Sequence, residues 1–198
     1  MDSVEQSRRW PVRWAFVAVL ALPAASVAGS IAVGAIAAQP RPERSELPFA
    51  VVDKRSATLR VFAANGRLVG STPVLIGLAP GDALPSGSRR KSPDRLLPSE
   101  RVTPAGHFPS LPGTNMHGER VIWIDYEAGL AIHRLRPAPP QERRAERLAS
   151  PTPADNRITM GCVVVDPRFF DSVVLPTLGH GPAWVHVLRE GYRAESDL

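Results

Sequence analysis

From Phe49 to Gly77 the chain alternates. In FAVVDK and TLRVFAANGRLVGSTPVLIG apolar residues recur at every second position, the period of strands with one buried face. Asn65-Gly66 falls between two such runs, where a two-residue hairpin turn needs positive φ, so the pattern predicts antiparallel strands joined there. Residues 78–103 show no period, only proline, glycine, serine and charge, which predicts a long loop able to act as a lid. RVIWIDYEAGLAIHRL (120–135) predicts two strands turning at Glu127 to Gly129, and PAPPQERRAERLAS a short exposed helix after Pro140. After ITMGCVVV, Asp166 is placed to cap a helix with Pro167 at its first position. AWVHVLRE alternates again and is expected to close the sheet. The fold expected is mainly β with short helices.

The start of the chain has a different character. Arg8, Arg9 and Arg13 precede a stretch from Trp14 to Pro40 without a charged residue. Basic residues followed by a long apolar run predict an export signal or a membrane anchor, with the remainder outside the cytoplasm. Ala35-Ile36-Ala37 offers a small-x-small cleavage site, while the length of the run approaches that of a bilayer-spanning helix. The expected organisation is residues 1–40 as signal or anchor, 41–47 as a proline-rich linker, and 48–198 as one folded domain.

Charge changes this picture little. The net charge is +5, but the arginines are not interleaved with aromatics as a single-strand nucleic-acid binder requires, so no nucleic-acid partner is expected. The cysteine count matters more. An exported protein with 1 cysteine has no internal disulfide, which leaves Cys162 as a buried apolar residue, an intermolecular bridge or a reactive thiol.

A thiol that attacks an amide needs a base and backbone N–H groups facing the developing oxyanion. Gly161 permits a tight turn that would aim the backbone N–H groups near Cys162 at a substrate oxygen. Five histidines could serve as base: His107, His117, His133, His180 and His186. His133, at the end of an apolar strand, ranks first. No metal site is expected, because paired cysteines, H-E-x-x-H and short histidine spacings are missing. GLAPGD is neither a phosphate loop nor a dinucleotide fingerprint. Asp125 and Glu127 are most simply a solvated hairpin end.

The hairpin opening at Phe49, ERVTPAGHF, VIWIDYEAGLAIHRL and RLASPTPADNRITMGCVVVDPRFFDSVV together resemble the L,D-transpeptidase catalytic domain over residues 48–190. That resemblance implies a β-sandwich of two packed sheets and a cysteine acyltransferase of peptidoglycan stem peptides, without cofactor, in the cell envelope. It assigns Cys162 as nucleophile, Gly161 as its glycine, His133 as base, and Thr159 as the Ser/Thr of the motif. Arg134, Arg136 and Arg157 are candidates for binding stem carboxylates. Met160 stands where the family commonly has histidine, and Val164 where it has asparagine or arginine. The segment between His133 and Cys162 is longer than usual and looks like an inserted helix. The same acyl-enzyme released to water would be a carboxypeptidase, and a decayed site would leave a wall-binding protein.

Overall fold

The computed structural model describes residues 46–192. The expected signal or anchor and all but the end of the linker lie outside the described residues, as do 193–198. Among the described residues no helix is long and apolar enough to cross a membrane.

Alternation is realised first in β1 (Phe49–Asp53) and β2 (Thr58–Phe62), where Ala50, Val52, Leu59 and Val61 face inward and are fully buried. β3 (Leu68–Pro73) pairs antiparallel with β2. The turn before it runs through Ala64, Asn65 and Gly66, one residue more than expected. Only Gly66 (φ 81°) takes positive φ there, and the extra residue is absorbed as a register shift at Val61/Phe62. After the two-residue β4 (Ile76–Gly77), residues 78–103 form the expected loop, drawn in at its ends by an Ala79↔Val102 bridge and containing three 3₁₀ turns.

β5 (Gly106–Thr114) links the two halves of the architecture. Its first part pairs with the last strand, β10 (Ala183–Val187), and its second part with β6 (Arg120–Asp125). One nine-residue strand therefore serves both halves. With β7 (Leu130–Arg134), β8 (Arg157–Thr159) and β9 (Val163–Val165), the strands follow one hydrogen-bonded order, β3-β2-β1-β10-β5-β6-β7-β9, beside a two-stranded β4-β8 sheet, and the change of partner along β5 divides that order into two sheets that share this strand. β10 lies inside this order, parallel to β1 and antiparallel to β5, and does not close an edge.

The edge is formed by β7 (Leu130–Arg134) and β9 (Val163–Val165), which run parallel. Their connection holds α1 (Arg144–Ala149) and β8 (Arg157–Thr159). α2, residues 167–178, starts as expected: the Asp166 carboxylate accepts from the amides of Arg168 and Phe169, and Pro167 occupies the first turn. Phe170, Val174 and Leu178, four residues apart, form its buried stripe. They share one core with inward residues of both halves, among them Val52, Val61, Ile132, Val163 and Val185.

Candidate functional site

Cys162 occupies the turn that delivers the chain from β8 into β9, and the turn is built around a glycine. Gly161 has φ 126°, and a Cβ there would lie 2.7 Å from the Val102 carbonyl oxygen and 2.8 Å from Leu130 Cδ2. No L side chain fits both the backbone and the space. Thr159 and Thr103 hold the turn from two sides. The Thr159 hydroxyl donates to the Cys162 carbonyl (2.7 Å) and accepts from the Gly161 amide (3.1 Å). The Thr103 hydroxyl donates to the Gly161 carbonyl (2.8 Å) and accepts from the Gly77 amide (2.9 Å).

These bonds alter the expected oxyanion pocket. The Gly161 amide is already used by Thr159, whereas the Cys162 amide has no backbone partner among the described residues. Thr159 is buried with its hydroxyl inside the turn, so its place is in the scaffold and not at a substrate surface.

His133 comes from the neighbouring strand. The parallel register places His133 opposite Val164 and Ile132 opposite Val163, so the two-residue alternation puts His133 and Cys162 on the same side of the sheet edge. The imidazole Nδ1 lies 2.8 Å from the Arg134 carbonyl oxygen. A carbonyl only accepts, so Nδ1 carries the proton and Nε2 keeps its lone pair. Burial, opposed by the Arg134 carbonyl and deepened by Arg136, lowers the His133 pKa to about 4. The imidazole is neutral at pH 7, as a base must be. Cys162 Sγ contacts the Gly129 carbonyl oxygen at 3.5 Å, and no hydrogen bond joins it to the imidazole among the described residues. Burial raises the thiol pKa, against the lowering effects of the Ala131 amide and of Arg136. The pair is therefore thiol and neutral imidazole, not thiolate and imidazolium.

The His133 shift predicts a pH dependence of stability. Its pKa falls from an ordinary 6.5 to about 4 in the fold, so between those values the unfolded chain binds the extra proton. Stability from this group is complete above pH 6.5 and is lost as pH falls toward 4, by about 2 to 3 kcal/mol. Urea midpoints measured from pH 7.5 to 4 for the wild type and His133→Gln should diverge, the wild type losing more stability over that window.

Val164 has a structural reason. It is 1% exposed and packs with Leu75, Leu148 of α1, Leu135 and Ile158. The segment between β7 and β9 lays its helix on this side of the edge, and an amide or guanidinium at 164 would be sealed beneath it. Val164→Asn should cost about 2 kcal/mol through an unsatisfied buried amide and lost packing, read as a shifted denaturation midpoint.

All three candidate arginines face a carboxylate, and two of them are held by hydrogen bonds away from the site. Arg134 pairs with Asp171 and stacks over Phe170 at 4.5 Å. Arg157 binds Glu190 at 2.7 Å. Arg136 remains beside the site, its charge acting on both His133 and Cys162. It faces Glu119 at 2.6 Å, but Nε is not aligned as a hydrogen bond and is otherwise buried without one. Arg136, Arg143, Arg144 and Glu146 also line a cleft of about 400 Å³ with Leu135 and Pro139.

Two contributors were not singled out from the sequence: Thr103 and Lys54. Lys54 is wholly buried, its ammonium donating to the carbonyls of Gly81 (2.5 Å) and Thr103 (3.2 Å) and to Asp82 (2.7 Å). It lies 3.5 Å from Glu190, which also accepts from Arg157 and from the Gly81 amide. Partial burial opposes ionisation of Asp82, yet Lys54 and the Glu190 amide hold its pKa below the ordinary value. This network ties both ends of the 78–103 loop to the threonine that grips Gly161. Farther along the loop, Arg89 pairs with Asp125 (2.5 Å), at the start of the turn that presents Gly129 to the thiol.

No protein-family model matches the chain, and no curated protein matches it. Among solved structures it is similar to the L,D-transpeptidase from Mycobacterium smegmatis, at 14% identity over 71% of this chain and 58% of that one, TM-score 0.42. It is similar to the helical cell shape determining protein Pgp2 from Campylobacter jejuni, at 15% identity over 74% and 49%, TM-score 0.47. It is also similar to the catalytic domain from the E. faecium L,D-transpeptidase, at 19% identity over 72% and 98%, TM-score 0.40. The chain thus spans about half to three-fifths of the length of the first two. What the site does chemically follows from its own residues and not from these similarities.

Proposed function

We propose that the protein is an L,D-transpeptidase-type acyltransferase of the cell envelope, acting on peptidoglycan stem peptides. The observation that carries this reading is the placement of Cys162, on a glycine-shaped turn beside a strand whose neutral His133 has a free Nε2. Cys162 attacks the stem amide between the diamino acid and the terminal D-alanine. Nε2 of His133 takes the thiol proton and returns it to the departing amine of D-alanine. The Cys162 amide faces the oxyanion, and Arg136, whose charge acts on both Cys162 and His133, takes a stem carboxylate in exchange for Glu119. An acceptor amine on a second stem then displaces the thiol, leaving a crosslink. Substitution of water for that amine makes the same site a carboxypeptidase.

Because His133 is neutral down to about pH 4, acylation should not fall between pH 7 and 5, where a base of ordinary histidine pKa would lose most of its activity. The test is incubation of the full chain with a stem tetrapeptide and an acceptor stem, followed by mass spectrometry. Free D-alanine with a crosslinked dimer, both missing with Cys162→Ala, supports the transferase. Free D-alanine alone identifies a hydrolase. Neither product from folded protein rejects catalysis and leaves wall binding as the function to measure.

A further inference from the structure

In the middle of the strand order, His107 of β5 and His186 of β10 stand directly opposite each other in antiparallel register. Both side chains leave the sheet on the face away from the core, since Ala183, Val185 and Val187 fill the inward side of β10. The rings meet at 67° with centroids 4.7 Å apart, and the two Nδ1 atoms are 2.5 Å apart. Two N–H groups do not fit in that space, so one Nδ1 carries a proton and the other a lone pair aimed at it. Trp184 lies parallel to His186 at 6.3 Å and Phe49 meets it edge-on at 5.7 Å, giving the pair an apolar wall on one side. His107 is exposed on the other.

We infer that His107 and His186 form a two-imidazole site for a divalent late transition-metal cation, copper or zinc in kind, on the outer face of the sheet. Adjacent strands hold the two donors at a fixed spacing, so the chelate loses little further freedom on binding. Nitrogens that each bind at about 2.0 to 2.1 Å need to part to about 3 Å, a shift that exposed His107 accommodates by rotating its side chain. Where both rings are neutral, the proton between them moves through solvent to Nε2 of the same ring, so both Nδ1 lone pairs face the cation without net proton release. Groups of three or more metal-ligating side chains do not occur among the described residues, so water completes the coordination and exchange is rapid. Copper should bind more tightly than zinc, following the general order of divalent affinities.

The test uses the full chain with Cys162→Ala, which removes the thiol as a competing ligand, titrated at pH 7.5 with Cu²⁺ and separately with Zn²⁺. Equilibrium dialysis gives stoichiometry, and Trp184 beside His186 reports Cu²⁺ through quenched fluorescence. The expected result is one saturable equivalent, weakened at least tenfold by His107→Gln and by His186→Gln, with the melting temperature of exposed His107→Gln near that of its parent. Trp184→Phe should reduce the quench and leave the stoichiometry intact. Absence of saturable binding, or binding unchanged in both histidine variants, overturns the inference and leaves the pair as a cross-strand hydrogen bond.

Discussion

Replacing His133 with alanine is expected to slow acylation of Cys162 by about 10²- to 10⁴-fold, the usual contribution of a positioned general base. The size follows from the starting state of the pair. Burial raises the thiol pKa, so little thiolate exists at pH 7 without a base. The group best placed to remove the proton is an imidazole fixed by the Arg134 carbonyl, with Nε2 unprotonated. Since Sγ rests 3.5 Å from the Gly129 carbonyl, substrate must bring thiol and imidazole together; catalytic hydrogen bonds are often long before substrate binds. A second signature accompanies the rate. In His133→Ala, acylation should rise steadily with pH toward the raised thiol pKa, because hydroxide then does what the imidazole did, whereas the wild type should be nearly flat from pH 5 to 7. Stopped-flow acylation across that range separates the two. Equal rates for both proteins at pH 7 would remove His133 from the mechanism.

Lys54→Met should destabilise the fold by about 3 kcal/mol and also slow the thiol. Methionine fills most of the space but strands the carbonyls of Gly81 and Thr103 and leaves Asp82 and Glu190 without their shared cation. Removing one partner of a buried ion pair costs about 3 to 5 kcal/mol; the lower end applies because the Asp82 side chain is 40% exposed and rehydrates. The effect on chemistry runs through Thr103, whose carbonyl is held by Lys54 and whose hydroxyl holds the Gly161 carbonyl. Chemical denaturation gives the first quantity. Alkylation of Cys162 at a temperature where the variant remains folded gives the second. A stable variant with unchanged alkylation would show that the network neither supports the fold nor positions the turn.

Local rules made much of this legible. Alternation placed β1, β2, β6 and β7, and the Asp166-Pro167 pair marked the start of α2, because these depend on neighbours in sequence. Long-range pairing was not legible. Nothing local to AWVHVLRE says that β10 enters between β1 and β5, or that the nine residues of β5 serve two sheets. At the site, the glycine before Cys162 was readable as a residue that permits a tight turn; its positive φ and the closeness of Val102 and Leu130 were not. Which arginine stays near the thiol was not, since Arg134 and Arg157 are drawn off by Asp171 and Glu190, partners distant in sequence. Lys54 did leave a signal. Ala50, Val52 and Lys54 share one parity in β1 and its extension, so the alternation that buried the first two pointed the lysine inward as well.

The most direct measurement is intact-mass spectrometry of the full chain after incubation with a carbapenem, whose strained amide acylates a competent thiol and remains attached when its ring opens. The account predicts one adduct of the drug's full mass, missing with Cys162→Ala and formed far more slowly with His133→Ala. No adduct on demonstrably folded protein, or an adduct that persists with Cys162→Ala, would contradict it.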